Sequence, residues 1–304
     1  MRLVVGTRGS PLAMTQTRWV VERLQRLDRR LEIAVTKIRT QGDVQAEAPL
    51  ASMPRGVFAK ELELALERRE IDLAVHSFKD LPTDLSPEFA VSAITKREDP
   101  RDVLVAPGYG SLDDLPLGAR LGTSSPRRAV QLRAHRGDLE VVPVRGNVGT
   151  RVAKAEGPDF DGVVLAAAGL HRLGLHDHIA EYIDPEVCLP EAGQGALAVE
   201  TRADDSRVQE IVSMLDDEAA RGAVSAEVAM LRMLGGGCTA PIAAYAELKS
   251  GRISLRGMVA DANGERLLRS AASGPADRPE EVGALLGRQL IGMGANEIVG
   301  VGGR

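Results

Sequence analysis

One element, present twice, constrains this chain more than any other feature. A short apolar run at residues 3–5 ends in Gly6-Thr7-Arg8-Gly9-Ser10-Pro11, and Leu12, Trp19, Val20, Leu24 and Leu27 then recur at a helical period. Serine is a favoured N-cap and proline a favoured first helical residue, so a strand passes through a glycine turn into a helix N-terminus. Arg120-Leu121 leads into Gly122-Thr123-Ser124-Ser125-Pro126 and a helix that starts at Arg127-Arg128. A single Ser-Pro helix start is ordinary. Two strand–GT–SP–helix elements point to two α/β lobes of one kind.

Further strands are expected at 33–38, 71–75, 90–95, 141–144, 163–168 and 197–200, with a helix at 58–69. The charged run Lys96-Arg97-Glu98-Asp99-Pro100-Arg101-Asp102 suits a crossing out of the first lobe, and Glu191-Ala192-Gly193-Gln194-Gly195-Ala196 a crossing back. From about Asp216 the composition turns Ala/Gly-rich. A helix at 217–234, a hairpin of 243–248 with 253–259 given the Asn263-Gly264 turn, and a final helix at 278–293 make a small α+β domain. The expected domains are residues 1–95 with 196–214, residues 96–195, and residues 215–304. Residues 40–57 are polar and without period, and so long a loop inside a compact domain favours a functional lid.

Composition removes several classes of function. Aromatic residues make up 3% and the formal net charge is −5, which leaves neither stacking platforms nor a global field for nucleic acid or an acidic membrane. No signal-peptide h-region or membrane span is evident. Two cysteines, Cys188 and Cys238, fit neither a disulfide framework nor a zinc site, so no metal is expected and the compartment read from them is the cytoplasm.

Chemistry concentrates in three places. Leu234-Gly235-Gly236-Gly237-Cys238-Thr239-Ala240-Pro241 follows a helix whose apolar stripe is Val224, Val228, Leu231 and Leu234. The glycines stop that helix and Pro241 prevents its resumption. Alone, Cys238 reads as a small buried residue after a C-cap. A helix C-terminus raises a thiol pKa, so a working Cys238 holds something rather than attacks it. Second, Arg8, Arg127, Arg128, Arg145, Arg151 and Arg172 gather at the ends of predicted strands, where open α/β sheets bind ligands and guanidinium forks suit carboxylates. Third, Asp80 follows a strand beside Lys79; it reads either as an Asp-Leu-Pro turn residue or as a carboxylate that stabilises a developing cation and moves protons. His76 reads as a base or, more commonly for a strand-end histidine, as a hydrogen-bonded structural residue.

Together these segments resemble the porphobilinogen deaminase family along essentially the whole chain. The resemblance rests on Thr7-Arg8-Gly9-Ser10-Pro11-Leu12-Ala13, Phe58-Ala59-Lys60-Glu61-Leu62-Glu63, residues 74–82 (AVHSFKDLP), residues 97–102 (REDPRD), residues 122–128 (GTSSPRR), residues 145–151 (RGNVGTR), residues 189–195 (LPEAGQG) and Gly236-Gly237-Cys238. It implies two periplasmic-binding-protein-like lobes with mixed sheets and a small α+β C-terminal domain that carries a covalent dipyrromethane cofactor on Cys238 through a thioether. It further implies that Lys79, Asp80, Thr123, Ser125, Arg127, Arg128 and Arg145 bind the cofactor. Arg8, Ser10, Arg145, Arg151 and Arg172 would bind substrate, and Asp80 would be catalytic. The implied activity is stepwise condensation of four porphobilinogen molecules into hydroxymethylbilane, by a monomer. Phe78, Pro126 and Pro54-Arg55 depart from the family pattern. The competing class is a two-lobed, non-enzymatic receptor for a small polycarboxylate, with a merely structural Cys238.

Overall fold

In the computed structural model, residues 1–40, 59–235 and 240–300 are described. The first stretch runs β1 (Arg2–Arg8), α1 (Pro11–Leu27), β2 (Glu32–Ile38), α2 (Lys60–Glu67), β3 (Leu73–Ser77) and β4 (Phe89–Ile94). Next come β5 (Asp102–Val105), β6 (Arg120–Gly122), α3 (Pro126–His135), β7 (Glu140–Val142), α4 (Val148–Ala155), β8 (Gly162–Ala166), α5 (Ala167–Leu173) and β9 (Glu181–Tyr182). The chain then continues through β10 (Leu197–Arg202), α6 (Ser206–Ser213), α7 (Glu218–Met233), β11 (Ile242–Lys249), β12 (Arg252–Ala260), β13 (Leu267–Pro275), α8 (Pro279–Gly292) and α9 (Ala295–Val299).

Contacts group the described residues into two units, residues 1–40, 59–98 and 195–221 in one, residues 99–194 and 222–300 in the other. The first unit holds a five-stranded sheet of order β2-β1-β3-β10-β4. In it β1 is parallel to β2 and β3, and β10 is antiparallel to β3 and β4. Leu3, Val5, Leu73 and Val199 on one face pack with Val20 and Leu24 of α1 and Val208 and Val212 of α6. Leu62 and Leu66 of α2 pack with Ile71 and Ala74 in a second cluster.

The second unit repeats this sheet. Its order is β7-β6-β8-β5-β9, with β6 parallel to β7 and β8 and β5 antiparallel to β8 and β9. Each sheet is thus parallel except where a strand follows a crossing segment: β5 after 96–101, β10 after 191–196. That is why both sheets are mixed. The doubled N-cap signal holds atom for atom. Ser10 Oγ accepts the Ala13 N–H at 3.2 Å and Ser125 Oγ the Arg128 N–H at 3.4 Å, each followed by a proline in the first turn.

The same unit contains the antiparallel sheet β11-β12-β13. Met230, Leu231 and Leu234 from the α7 region, Leu255 and Val259 of β12, and Leu286 and Leu290 of α8 form its core. Helix α7 ends as the sequence anticipates, with Gly235 at φ 87°. Gly236, Gly237 and Cys238 lie outside the described residues, as do residues 41–57 of the expected lid with Pro54 and Arg55.

Several boundaries differ from expectation. Trp19 and Leu27 are 36% and 53% exposed, and Thr17, Val20 and Leu24 form the buried face of α1. The β11–β12 turn is Ser250-Gly251, at φ 51° and 72°; Asn263-Gly264 turns β12 into β13 instead. Strand β13 (LLRSAASGP) is too rich in small and polar residues to show apolar alternation. Strand β8 stops at Ala166, because α5 begins at once and is closed by Gly174 at φ 69°. Strands β5 and β9 and helices α6 and α9 are additional, while the final expected helix, 278–293, is α8 to within a residue at each end.

Candidate functional site

In the first unit, β3 ends at Ser77 and a 3-10 turn, Phe78–Asp80, places Lys79 and Asp80 directly beyond it, half-buried. The adjacent strand β1 ends at Arg8, and Ser10 opens α1. Arg8, Ser10, Gln16, His76, Ser77 and Asp80 line a cavity of about 50 Å³. Gln16 Nε2 donates to Ser77 Oγ at 2.9 Å. Deeper in the sheet, His76 Nε2 lies 3.0 Å from Glu200 Oε2 in a buried pair. Burial, and then the neighbouring Glu200, push the Glu63 carboxyl above its ordinary pKa.

In the second unit the first turn of α3 carries Arg127 and Arg128, 4% and 6% exposed. Asp102, fully buried at the start of β5, joins both. Arg127 Nη1 donates to Asp102 Oδ2 at 2.8 Å, while Arg128 donates to Oδ1 through Nε at 3.0 Å and Nη2 at 2.7 Å. Gln194 Nε2 adds a donor at 2.8 Å and the Cys188 thiol another at 3.3 Å. Burial alone raises a carboxyl pKa; the two guanidiniums more than reverse this and hold Asp102 well below the usual carboxylate range. Burial and then Asp102 push the Cys188 thiol up to about 12, against the opposing pull of the arginines.

The two arginines are not equivalent. Arg128 is engaged by Asp102 and by the Val164 carbonyl, accepting at 3.0 Å from Nη1. Arg127 sends Nη1 to Asp102 and to the Leu189 carbonyl at 2.6 Å, while its Nε and Nη2 are buried with no hydrogen-bond partner among the described residues. Those two N–H groups are the side-on fork that takes a carboxylate bidentately.

Arg145 lies half-buried in the loop after β7, and Arg151 lies in α4, where its Nε donates to the Gly146 carbonyl at 2.8 Å. Burial first, and then Arg128 and Arg145, pull the Arg151 pKa down to about 10. Cations therefore act on one another here without full compensation. Thr123 is buried, its Oγ1 accepting the Ser125 N–H at 3.2 Å.

Of the six arginines placed at strand ends from sequence, Arg8 alone ends a strand. Arg127, Arg128 and Arg151 sit on helices, Arg145 in a loop, and Arg172 in the last turn of α5, because α5 follows β8 without a loop. Arg127, Arg128, Arg145 and Arg151 are brought together in the second unit, and Arg8, Ser10 and Asp80 in the first. Cys238 lies outside the described residues. Sequence reasoning missed Asp102, which it assigned to a hinge, and Glu200. A lone acid in the buried strand Leu197–Arg202 was the available signal.

Two family models match the chain: porphobilinogen deaminase, dipyromethane cofactor binding domain, over residues 3–210, and porphobilinogen deaminase, C-terminal domain, over residues 222–292. A protein of Desulforudis audaxviator named porphobilinogen deaminase is 48% identical over 98% of this chain and 96% of its own length. One of Roseiflexus sp. with the same name is 46% identical over 98% of both chains. Among solved structures, the methionine-binding protein MetQ superposes with a TM-score of 0.44 at 10% identity, over 70% of this chain and 89% of that one.

Proposed function

Because the chain belongs to the porphobilinogen deaminase family, we propose that it condenses four porphobilinogen molecules head to tail with loss of ammonia and releases hydroxymethylbilane by hydrolysis. The observation that carries this reading at the level of residues is the unpartnered, buried fork of Arg127 beside the crowded cations Arg128, Arg145 and Arg151. An acidic chain that keeps such a group buried is built to take a polycarboxylate, and porphobilinogen carries two carboxylates.

The same fork fits the carboxylates of a dipyrromethane primer. Bound through a thioether to Cys238, the primer supplies a pyrrole α-carbon as nucleophile. Arg127 Nε and Nη2 would donate to one of its carboxylates, with Arg128 as a fixed neighbouring charge and Arg145, Thr123, Ser125 and Lys79 as further partners. Arg8, Ser10, Arg151 and Arg172 hold the carboxylates of the incoming substrate. Asp80 accepts hydrogen bonds from pyrrole N–H groups, and its negative charge stabilises the cation that develops as the C–N bond to the departing ammonia breaks. The three-domain division, residues 1–95 with 196–214, 96–195 and 215–304, belongs to this reading. So do a monomeric state and a cytoplasmic location, in keeping with the absence, among the described residues, of a helix long and apolar enough to cross a membrane.

Intact mass tests the reading. The purified protein should exceed its chain mass by two pyrrole units, and Cys238→Ser should lack that excess. An unmodified wild type that also gains no mass with porphobilinogen overturns it and leaves the polycarboxylate receptor.

A further inference from the structure

The ionisable groups behind Asp80 have no place in the function so far. His76 and Glu200 lie on one face of the first sheet: Ala198 of β10 faces His76 of β3, and Glu200, two residues on, faces Ala74. Their side chains are 4% and 0% exposed, yet Glu200 keeps Oε1 with no hydrogen-bond partner among the described residues. A buried, half-satisfied carboxylate costs stability. Leucine at position 200 would avoid that cost. His76 also lines the cavity of about 50 Å³ that Asp80 lines. That volume has room for a water, with the Ser10, Gln16, Ser77 and Asp80 polar groups around it.

We propose that His76 and Glu200 form a proton relay that returns Asp80 to its ionised state after each condensation. The proposal rests on the function given above. In each cycle one C–N bond breaks and ammonia leaves with its electron pair, one C–C bond forms, and one pyrrole C–H bond releases a proton. Asp80 takes that proton and passes it through a water in the cavity to the His76 imidazole. The bond from His76 Nε2 to Glu200 stabilises the imidazolium until the proton leaves to solvent. His76 and Glu200 touch no substrate; they act through Asp80. The other charged groups around the pair are Glu63 and Lys60 of α2 and Arg8 of β1; burial and then Glu200 hold the Glu63 carboxyl above its ordinary pKa.

His76→Gln retains a donor for Glu200 but carries no proton, and Glu200→Gln removes the charge that stabilises the imidazolium. Both should retain the mass of two extra pyrrole units and the wild-type KM, while kcat falls by roughly 10²-fold, the lower end for a lost acid–base partner. Either substitution should also flatten one limb of the kcat–pH profile. Independently of turnover, in the Cys238→Ser protein the His76 ring NMR titration should shift by at least about half a pH unit on Asp80→Asn, through the shared cavity. Wild-type kcat and pH profile in His76→Gln, or a His76 titration indifferent to Asp80→Asn, overturns the relay and makes the pair structural. Failure of the deaminase reading appears separately, as an unmodified wild-type mass.

Discussion

Replacing Asp102 by Asn tests the electrostatic reasoning most directly. Asp102 is the fully buried acid between two guanidiniums, and it receives bonds of 2.7–3.0 Å from both, as well as from Gln194. Asn preserves shape and one acceptor, so what is lost is charge. Removing one member of a buried ion pair costs about 3–5 kcal/mol, because the partner stays buried and uncompensated. Here two partners are left. Cys188 supplies the assay. Its thiol is fully buried, donates to Asp102, and is held neutral at neutral pH by a pKa of about 12, so an alkylating reagent reaches it as a thiolate from opened forms. When closing outpaces alkylation, the rate tracks the population of open forms. At about 1.36 kcal/mol per decade, Asp102→Asn should speed Cys188 modification by roughly two to three and a half orders of magnitude. Peptide mass distinguishes Cys188 from Cys238. Asp113→Asn, which loses a salt bridge with a side chain 76% exposed, should leave the rate within about twofold. A rate within tenfold of wild type in Asp102→Asn would refute the view that this carboxylate is the countercharge holding the two arginines.

Two further outcomes follow from the shifted groups. The Cys188 pKa is raised from 9.0 to about 12, so the folded state favours the thiol; its contribution is fully present below about pH 9 and is lost as pH rises toward 12. Urea unfolding should therefore show wild type losing stability between pH 9 and 11 more steeply than Cys188→Ala, by up to about 1.4 kcal/mol per pH unit, and equal slopes would contradict the shift. Arg151→Gln should act in opposite directions on stability and function. It relieves crowding by burial, Arg128 and Arg145, and should stabilise the unmodified Cys238→Ser protein by on the order of 1 kcal/mol, while raising KM for porphobilinogen about tenfold in the loaded enzyme. A destabilised Arg151→Gln with unchanged KM would assign Arg151 to structure alone.

The fold was legible where local signals were strong. The two Ser-Pro helix starts work through bonds spanning three residues, so a reader of sequence sees the whole interaction. The end of α7 at Gly235 is of the same kind. Legibility failed where tertiary partners decide. Strand β13 is defined by its pairing with β12, and its own residues carry little apolar alternation. Strand β5 was hidden because its first residue, Asp102, completes a charged run whose earlier members suit an exposed segment. The acid at that position is buried because α3, beginning twenty-odd residues later, brings two arginines to it.

The arginines show most clearly what the sequence withholds. Their number was visible, and it drew attention to polycarboxylates. Which face inward and which keep free donors was not, because Arg127 and Arg128 are neighbours in sequence with the same local signals. The difference arises from Asp102 and the Leu189 and Val164 carbonyls, all remote in the chain. One carboxylate fixes two guanidiniums, leaves the trio with net positive charge, and keeps the Arg127 Nε and Nη2 in a set geometry. Long, flexible side chains are thereby ordered during folding, so under the proposed function a substrate or primer carboxylate would meet cations already immobilised and would not bear their loss of rotamer freedom on binding. The stability lost by Asp102→Asn and the affinity lost with it have one cause, and the two should therefore fall together across substitutions at that position.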